Sequence, residues 1–367
     1  MNILFLCRRK DLGFGQESLA RALAKRGVRV HCVEDDTEPD DDITKLLGRL
    51  KERPSLILQP ELDFPLLPQG LVDIDIPTAC LQIDTYAYTE RRIRWSMLFD
   101  HPIVFHPGYQ ELFERAGHPG VVTFYHAACR DLFDRPQVER IFEVGSVGRT
   151  HDTVQSTRRR VMTALARRFR LSEWKKFYSF EEMSEVYRHS KIVVNVARDD
   201  YPQDANMRAF EAMAAGCLLV SRVPTELTAI GFEEDVHFVA YRGEDEIIEL
   251  VQRYLVDDTE RERIARAGRQ KVLAEHTYDC RAEQLLRMVE KHNGKLCAPA
   301  RDWPVDHVQL VRLDYFAANA RLKNACRELR RIATRDLRSA AAGSSLIVRA
   351  LGNKVRSQVR SLVRQGH

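Results

Sequence analysis

Residues 197–222 contain the side chains of this sequence whose types and spacing are best suited to act together. Arg208 and Glu211 are three residues apart, so a helix would place them on one face. A buried strand and a proline-containing loop precede them, which indicates that the helix starts beside them, with free N–H groups and the positive end of its dipole nearby. Such a site suits a ligand with an anionic part and a hydroxyl-rich part. An ordinary surface ion pair is the alternative.

Two glycine-containing loops follow predicted strands and could approach the same ligand. One contains Gly13 and Gly15, and the other contains Gly145, Ser146 and Arg149. Backbone N–H groups in such loops can bind phosphate or sugar, and the planar guanidinium of Arg149 could pair with a diphosphate. Plain tight turns are the alternative for both loops. Neither loop has the GxGxxG spacing, so an NAD-dependent oxidoreductase is only weakly supported.

Three further residues are candidates for general acid–base catalysis. Asp84 ends one predicted strand, His106 follows the next, and His126 lies further along the chain. Carboxylates and imidazoles are the usual groups that take a proton from an attacking hydroxyl. Asp84 could instead cap the following segment, and either histidine could be structural. The acidic run at 40–42 precedes a helix and is interpreted as its cap, so we expect metal-independent chemistry with no cofactor.

Strands and helices alternate along most of the chain, and the alternation pauses near residues 134–141. This order predicts an α/β fold with two doubly wound Rossmann-like domains, at 1–137 and 138–292, and a basic helical C-terminal extension at 293–367. Ligands of such sheets bind outside the carboxyl ends of the strands. The candidate residues stand near those ends, so the two domains are expected to face one cleft.

Several motifs of the second half resemble the C-terminal half of GT-B glycosyltransferases, in particular the CgeB-like, spore-maturation-type group. They are FEVGSVGRTH at 142–151, KFYSFEEMSEVYRHSKIVVNVA at 176–197, NMRAFEAMAAGCLLVS at 206–221 and ERERIARAGRQKVLAEHTYDCRAEQLL at 260–286. The first 140 residues match more loosely, through IDTY at 83–86, HPGYQELFERAG at 106–117 and YHAACRDLF at 125–133. The C-terminal extension lies outside the resemblance.

The resemblance implies that a nucleotide-diphosphate sugar lies across the cleft, mostly on the second domain. Glu211 would then bind the ribose hydroxyls, because a carboxylate can accept a hydrogen bond from both. Arg208, Asn206 and Arg149 would neutralise the diphosphate, whose negative charge grows as the glycosidic bond breaks. His106 would contact the substrate from the first domain.

Tyr178 and Ser179, which end a short predicted strand, would face the nucleotide base by stacking and backbone contact. The chain departs from the larger retaining family, which has two glutamates eight residues apart. The position eight before Glu211 is Gln203, with Asp204 beside it. Which acidic group contacts the transferred sugar therefore stays open.

The net charge of +4 is unevenly distributed. Residues 321–367 contain twelve Lys or Arg against Glu328 and Asp336, a net +10, so residues 1–320 carry −6. The acidic body argues against a nucleic-acid partner. Apolar and cationic positions at helical spacing in residues 344–367 predict a basic amphipathic helix for an anionic membrane surface. A helix docked on the acidic body is the alternative.

Scattered cysteines, short apolar runs and charges directly after the first apolar run predict a cytoplasmic protein. The basic tail predicts that this protein is peripheral at the inner face of the membrane. The resemblance implies a hexosyltransferase-type enzyme. It would move a sugar from a nucleotide-diphosphate sugar to a cell-surface glycan, glycolipid or protein acceptor. A catalytically silent nucleotide- or sugar-binding protein of the same fold is the alternative.

Overall fold

The computed structural model describes residues 1–62, 66–148, 155–336 and 339–348. Within these ranges, strands and helices alternate and form two parallel sheets, as predicted. Arg149 and the part of the predicted tail helix from 349 onward lie outside the described residues. None of the described helices is long and apolar enough to cross a membrane.

The first domain contains a sheet of six parallel strands. They are β1 (Asn2–Arg8), β2 (Arg29–Val33), β3 (Leu56–Gln59), β4 (Thr78–Gln82), β5 (His101–Val104) and β6 (Val122–Thr123). In space their order is β2-β1-β3-β4-β5-β6. The α-helices of this part are α1 (Phe14–Lys25), α2 (Ile43–Gly48), α3 (Thr89–Ser96), α4 (Gln110–Arg115) and α5 (Arg130–Phe133). Short 3-10 turns occupy Arg9–Asp11 and Pro107–Tyr109.

The sequence of β1 shows why this sheet is buried on both faces. Ile3 and Phe5 point into one hydrophobic core, and Leu4 and Leu6 point into the core on the other face. Successive side chains of a strand alternate between faces, so an unbroken apolar run suits a parallel strand covered by helices on both sides.

The second domain contains four parallel strands among the described residues. They are β7 (Phe142–Gly145), β8 (Ser190–Asn195), β9 (Leu218–Arg222) and β10 (Val239–Tyr241), in the spatial order β10-β9-β8-β7. The helices are α6 (Ser156–Ala166), α7 (Phe180–Arg188), α8 (Met207–Ala214), α9 (Glu226–Ala229), α10 (Glu246–Val256), α11 (Asp258–Glu275) and α12 (Tyr278–His292). The last of these returns to the first domain, where Ala282, Leu285 and Met288 join the core that contains Leu19 and Leu23 of α1.

No strand forms at 175–179, contrary to the prediction. Ser179 instead begins α7 through a capping box with Glu182. The Ser179 N–H donates to the Glu182 carboxylate at 2.8 Å, and the Glu182 N–H donates to the Ser179 hydroxyl at 3.2 Å. This pairing of a Ser with a Glu three residues later is a helix-start signal that outweighs the weak apolar pattern before it.

The C-terminal extension is helical, as predicted, and covers one face of the first sheet. A 3-10 turn at Pro299–Asp302 leads into α13 (Val305–Ala318) and α14 (Leu322–Ala333), and residues 339–348 are helical. Leu346 and Ile347 pack against the core of the first domain. The described beginning of the tail therefore docks on the body, and the stretch that follows remains a prediction.

Candidate active site

The loops at the carboxyl ends of both sheets border one cleft of about 650 Å³. The first domain contributes Ile83 and Asp84 after β4 and His126 after β6. The second domain contributes Gly148 after β7 and the start of α8, including Arg208. This is where ligands of doubly wound sheets bind, because helix N-termini and loop N–H groups converge there.

Two arginines from different helices converge on one side of this cleft. Arg158 of α6 donates to the Val196 carbonyl from Nε at 2.9 Å and from Nη2 at 2.7 Å. Arg208 of α8 donates to the same carbonyl at 3.4 Å. Burial, together with the charge of Arg208, lowers the pKa of Arg158 to about 9. Two cations held on one carbonyl repel each other, so an anion bound between them would relieve that repulsion.

Gly148 allows a ligand to approach the main chain closely beside these two arginines. Its φ is +106°, a conformation that glycine adopts at no steric cost. A Cβ at this position would lie 3.1 Å from Nη1 of Arg208 and 3.4 Å from Nη1 of Arg158. The glycine that lines the cleft is therefore Gly148, within the predicted loop.

Glu211 lies one turn further along α8 and is 1% exposed. Neither of its carboxylate oxygens has a hydrogen-bond partner among the described residues. Burial raises the pKa of Glu211 to about 7, although the charge of Arg208 acts in the opposite direction. Glu211 does not line the cleft itself, whereas Arg208, on the same helix, does. A buried carboxylate without partners is costly, and two hydroxyl donors would satisfy it.

His106 connects the two domains through Glu226. Its Nδ1 lies 2.8 Å from the Glu226 carboxylate, which also accepts from the Tyr201 hydroxyl at 2.6 Å and the Ala205 N–H at 3.2 Å. The Tyr201 ring in turn stacks on Tyr86 of the first domain, with centroids 4.3 Å apart. These contacts fix the His106 ring, whose Nε2 is buried without a hydrogen-bond partner among the described residues.

The pKa values of His106, Asp204 and His126, which lie close together, are shifted in different directions. Burial alone would lower the pKa of His106, but the hydrogen bond and charge of Glu226 outweigh it and raise the pKa overall. Burial raises the pKa of Asp204 to about 6 and lowers that of His126 to about 3. Near neutral pH the cluster therefore holds a neutral His126 beside an Asp204 carboxylate that binds a proton more readily than usual.

His106, His126 and Asp204 each offer a ligand atom within 4.8 Å of the others. In the part of the chain that the structure describes, they are the group whose geometry could hold a metal ion. Nδ1 of His106 is oriented by a carboxylate, an arrangement common behind metal-bound histidines. The same buried acceptors and donors suit sugar hydroxyls. The sequence predicted no metal here.

Aromatic side chains border the other end of the cleft. Phe177 is 76% exposed and lines it together with Tyr178 and Ser179. In the cap of α7 the Ser179 N–H donates to Glu182 and the Ser179 carbonyl accepts from the Met183 N–H, whereas the Ser179 hydroxyl only accepts and can still donate to a ligand. Next to them, Phe14 of the first domain stacks on Phe180 with ring centroids 3.9 Å apart, which joins the two domains at this end.

The glycines of the first predicted loop lie outside the cleft lining. Gly13 is the residue before α1, and a Cβ at Gly15 would lie 2.7 Å from the Tyr278 hydroxyl. Gly15 therefore lets α1 approach α12 closely, a packing requirement that explains a glycine without any ligand.

Gly145 and Ser146 are also separated from the cleft lining. A Cβ at Gly145 would lie 2.3 Å from the Ser190 hydroxyl oxygen, so this glycine allows β7 to pack against β8. The Ser146 N–H donates to the Ser172 hydroxyl at 2.9 Å. The roles predicted for these four loop residues remain predictions.

Asp84 and Asn206, in contrast, line the cleft. Asp84 is exposed and accepts a hydrogen bond from the Tyr86 hydroxyl at 3.3 Å. Asn206 immediately precedes α8, and its Oδ1 is buried without a partner among the described residues. Its Nδ2 donates to the Asp204 carbonyl at 3.4 Å. Both side chains keep acceptor atoms available to a ligand.

Sequence reasoning did not single out Arg158, Phe177 or Glu226. Arg158 is one of three consecutive arginines in an amphipathic helix, where a solvated position is the default, and its burial depends on the distant Val196 carbonyl. Phe177 stands two residues before the serine that begins the capping box, and an aromatic residue beside such a helix start is a signal that could have pointed to it. Glu226 carried no local signal, because its partner is 120 residues away.

The comparisons with known proteins agree with this geometry. Residues 139–287 match a family model described as glycosyl transferase-like. No match was found among curated protein sequences.

Three similar solved structures share the arrangement of both domains. Sucrose-phosphate synthase from Thermosynechococcus elongatus has a TM-score of 0.54 at 14% identity, over 79% of this chain and 98% of that one. HepE from Anabaena, in complex with UDP, has a TM-score of 0.54 at 12% identity, over 79% and 100%. A glycosyltransferase from Rickettsia africae ESF-5 has a TM-score of 0.56 at 9% identity, over 79% and 98%.

The predicted fold class is confirmed: two Rossmann-like domains in the GT-B arrangement, with a helical C-terminal region. The match over the second domain is to the glycosyl transferase-like family.

Proposed function

We propose that the protein is a nucleotide-sugar-dependent glycosyltransferase of hexosyltransferase type, within the CgeB-like group. The observation that carries this proposal is the pair of Arg158 and Arg208 on one carbonyl, at the carboxyl ends of the second sheet. A diphosphate placed between them would be held in the ground state and stabilised further as its charge grows in the transition state. HepE, a structural neighbour, was solved with UDP, so UDP-sugars are the first donors to test.

The remaining donor contacts follow from this placement. Glu211 accepts hydrogen bonds from the ribose hydroxyls, and the exposed Phe177 with Tyr178 stacks on the base. Asp204, which lines the cleft, would face the transferred sugar, and the buried His106, fixed by Glu226, has a ring nitrogen within 4.8 Å of the Asp204 carboxylate. Asp204 is buried and its Oδ1 has no hydrogen-bond partner among the described residues, which supports a hydroxyl donor at that atom.

Asp84 is the proposed general base. It is exposed at the cleft wall on the first domain, where an acceptor would approach the donor sugar. In a direct displacement the acceptor hydroxyl gives its proton to the Asp84 carboxylate, and the acceptor oxygen bonds to the anomeric carbon. The bond from that carbon to the diphosphate oxygen breaks, and its electron pair stays with the diphosphate between the arginines.

We propose that this chemistry needs no metal and no cofactor, because the two guanidinium groups supply the positive charge at the diphosphate. EDTA should therefore leave the turnover number unchanged within a factor of about two. The measurement is nucleotide release with and without the chelator. A loss of activity that Mn²⁺ or Zn²⁺ restores would contradict this and would point to His106, His126 and Asp204 as metal ligands.

The proposed acceptor is a cell-surface glycan, glycolipid or protein precursor, glycosylated in the cytoplasm beside the membrane. The basic tail beyond residue 348 supports this location, because its cations suit anionic lipid headgroups.

The experiment that tests the proposal is a panel of UDP-, GDP-, ADP- and TDP-hexoses. A thermal-shift screen identifies the nucleotide that binds, and a nucleotide-release assay then measures turnover. Binding and turnover with one donor class support the glycosyltransferase. Binding without turnover in the presence of any acceptor would favour the catalytically silent alternative, and no binding at all would reject both.

A further inference from the structure

A second cavity, of about 440 Å³, opens next to the donor cleft on the first domain. It lies between the loops after β3 and β4, helix α3 and helix α13 of the C-terminal extension. Ile83 and Asp84 line both this cavity and the donor cleft, so the two spaces meet at the proposed base. We propose that this cavity is the acceptor subsite, that it takes an uncharged sugar unit, and that α13 determines its specificity. This inference rests on the proposed function.

The charges of the cavity favour an uncharged occupant. Arg92 is the cation among its described lining residues, and its side chain is 13% exposed. Its guanidinium is already occupied by the Glu61 carboxylate at 2.6 Å, the Ala87 carbonyl at 2.7 Å and the Gln82 amide oxygen at 3.2 Å. The described lining residues, with Asp84 at the mouth, carry a net charge of −1, from the carboxylates of Glu61 and Asp84 and the guanidinium of Arg92. A phosphate group would meet repulsion and would have to break the Arg92 contacts.

The shape and remaining chemistry of the cavity suit a sugar ring. Trp95 and Tyr315 pack edge to face with centroids 5.0 Å apart and form an aromatic wall. Gln82 and Asn319 supply amide groups beside it. Aromatic surface with a few fixed polar groups is typical of small-molecule sites of about 300–1,000 Å³, and it matches the apolar C–H faces and hydroxyl rim of a sugar.

The extension is rigidly fixed as part of this wall. The hydroxyl of the buried Tyr315 accepts a hydrogen bond from Gln59 Nε2 at 3.1 Å, and the Trp95 indole N–H donates to Asp314 at 3.2 Å. Asn319, at the end of α13, is half-buried and donates to the Tyr315 carbonyl at 2.8 Å. These contacts join β3 and α3 of the first domain to α13, so the extension shapes the subsite directly.

Two variants test the subsite without touching the donor cleft. Asn319→Trp places a large ring in the cavity, and Asn319→Leu is the milder substitution to use if Asn319→Trp does not fold. Lys323→Trp, at an exposed position on α14, is the matched control. Methyl glucoside, methyl mannoside and methyl galactoside serve as uncharged acceptor probes, with glucose 6-phosphate as the anionic counterpart. Donor hydrolysis by water is measured in parallel.

We expect transfer to at least one methyl glycoside and none to glucose 6-phosphate. Asn319→Trp should raise the acceptor KM at least tenfold and leave donor hydrolysis within twofold, and Lys323→Trp should change neither. An acceptor KM within twofold of wild type in Asn319→Trp, or preferential transfer to glucose 6-phosphate, would overturn the proposal.

A binding measurement keeps this inference separate from the proposed function. Methyl glycosides should produce a saturable change in tryptophan fluorescence that Trp95→Phe abolishes. If that change occurs while no donor is turned over, the sugar subsite stands and the transferase proposal fails. If wild type releases nucleotide but no glycoside alters its fluorescence or accepts a sugar, the transferase stands and the subsite is wrong.

Discussion

At the scale of single residues, the site depends on two cations that converge on one carbonyl and on a carboxylate buried one turn further along the helix of one of them. Arg158 and Arg208 both donate to the Val196 carbonyl, and neither carboxylate oxygen of the buried Glu211 has a hydrogen-bond partner among the described residues. A buried carboxylate of this kind lowers the free energy of unfolding unless a ligand donates hydrogen bonds to it. The loss of stability in the ligand-free protein and the affinity for an anionic, hydroxyl-rich ligand therefore have the same physical origin.

Arg208→Ala should mainly reduce turnover. The negative charge that Arg208 would stabilise on the leaving diphosphate is largest in the transition state. We therefore expect kcat to fall by about 10²-fold, which is comparable with the loss of one hydrogen-bond donor to an oxyanion. Steady-state kinetics at saturating donor measure the effect. Arg160→Ala on α6, which removes an exposed arginine paired with Glu244, is the control and should leave kcat unchanged. A decrease in kcat of less than twofold for Arg208→Ala would show that Arg208 has only a structural role.

Glu211→Gln should stabilise the protein in the absence of ligand, increasingly so as the pH rises. The folded-state pKa is raised from 4.5 to about 7, so the folded protein holds a proton that the unfolded chain releases. Stability is therefore lost as pH rises from about 4.5 to 7, by about 3 kcal/mol for such a shift, and the amide removes this loss.

Urea unfolding of both proteins between pH 5 and pH 8 measures this difference. The wild type should become progressively less stable than Glu211→Gln across that range, and the exposed Glu249→Gln should follow the wild type. Parallel curves for wild type and Glu211→Gln would show that the carboxylate pKa is not raised.

The sequence placed Arg208 and Glu211 on one helix because their spacing is a local property. The positions of Arg158 and His106 depend on contacts with Val196 and Glu226, 38 and 120 residues away. Such pairings arise when separate elements pack, and no local pattern encodes them. The roles predicted for the individual site residues remain predictions.

At the scale of elements, the alternation of apolar strands and amphipathic helices was sufficient to predict both sheets. The failure at 175–179 came from a segment with weak apolar alternation, where the capping box of α7 decided the conformation. The return of α12 to the first domain was not predicted, because an amphipathic helix does not specify which core it covers.

The docking of α14 on the first domain depends on a buried ionic network. The Glu328 carboxylate, which is 0% exposed, accepts from Arg312 at 2.9 Å and from Arg331 at 2.9 Å. Glu328→Gln would leave the buried Arg312 guanidinium without a balancing charge, and breaking such a pair costs about 3 kcal/mol or more.

We expect Glu328→Gln to lower the urea midpoint of the unfolding transition that includes the first domain. Exposed Glu290→Gln on α12 is the control and should leave it unchanged. If both variants unfold at the same urea concentration as wild type, α14 is held by its apolar contacts alone.

At the scale of the whole molecule, charge is separated between an acidic body and a basic tail. Asp40 of the body accepts from Arg327 and Arg331 of α14, so part of the positive charge of the extension is neutralised where it docks. Residues 349–367 add five further Lys or Arg and no acidic residue. We therefore propose different tasks for the two parts of the extension: docking on the body before residue 349 and attraction to anionic lipids after it.

Deleting residues 349–367 should release the protein from anionic vesicles and leave donor binding and the melting temperature unchanged. Removal of five cations lowers the net charge from +4 to −1, and the deleted residues follow Leu346 and Ile347, which pack on the core. Vesicle attachment of the full chain must weaken with salt, because the Debye length falls from about 10 Å at 0.1 M to about 3 Å at 1 M. Flotation of both proteins at the two salt concentrations measures this attachment. Full-length protein that stays unbound at low salt would reject the membrane proposal, and a lower melting temperature of the truncated protein would show that the tail docks on the body.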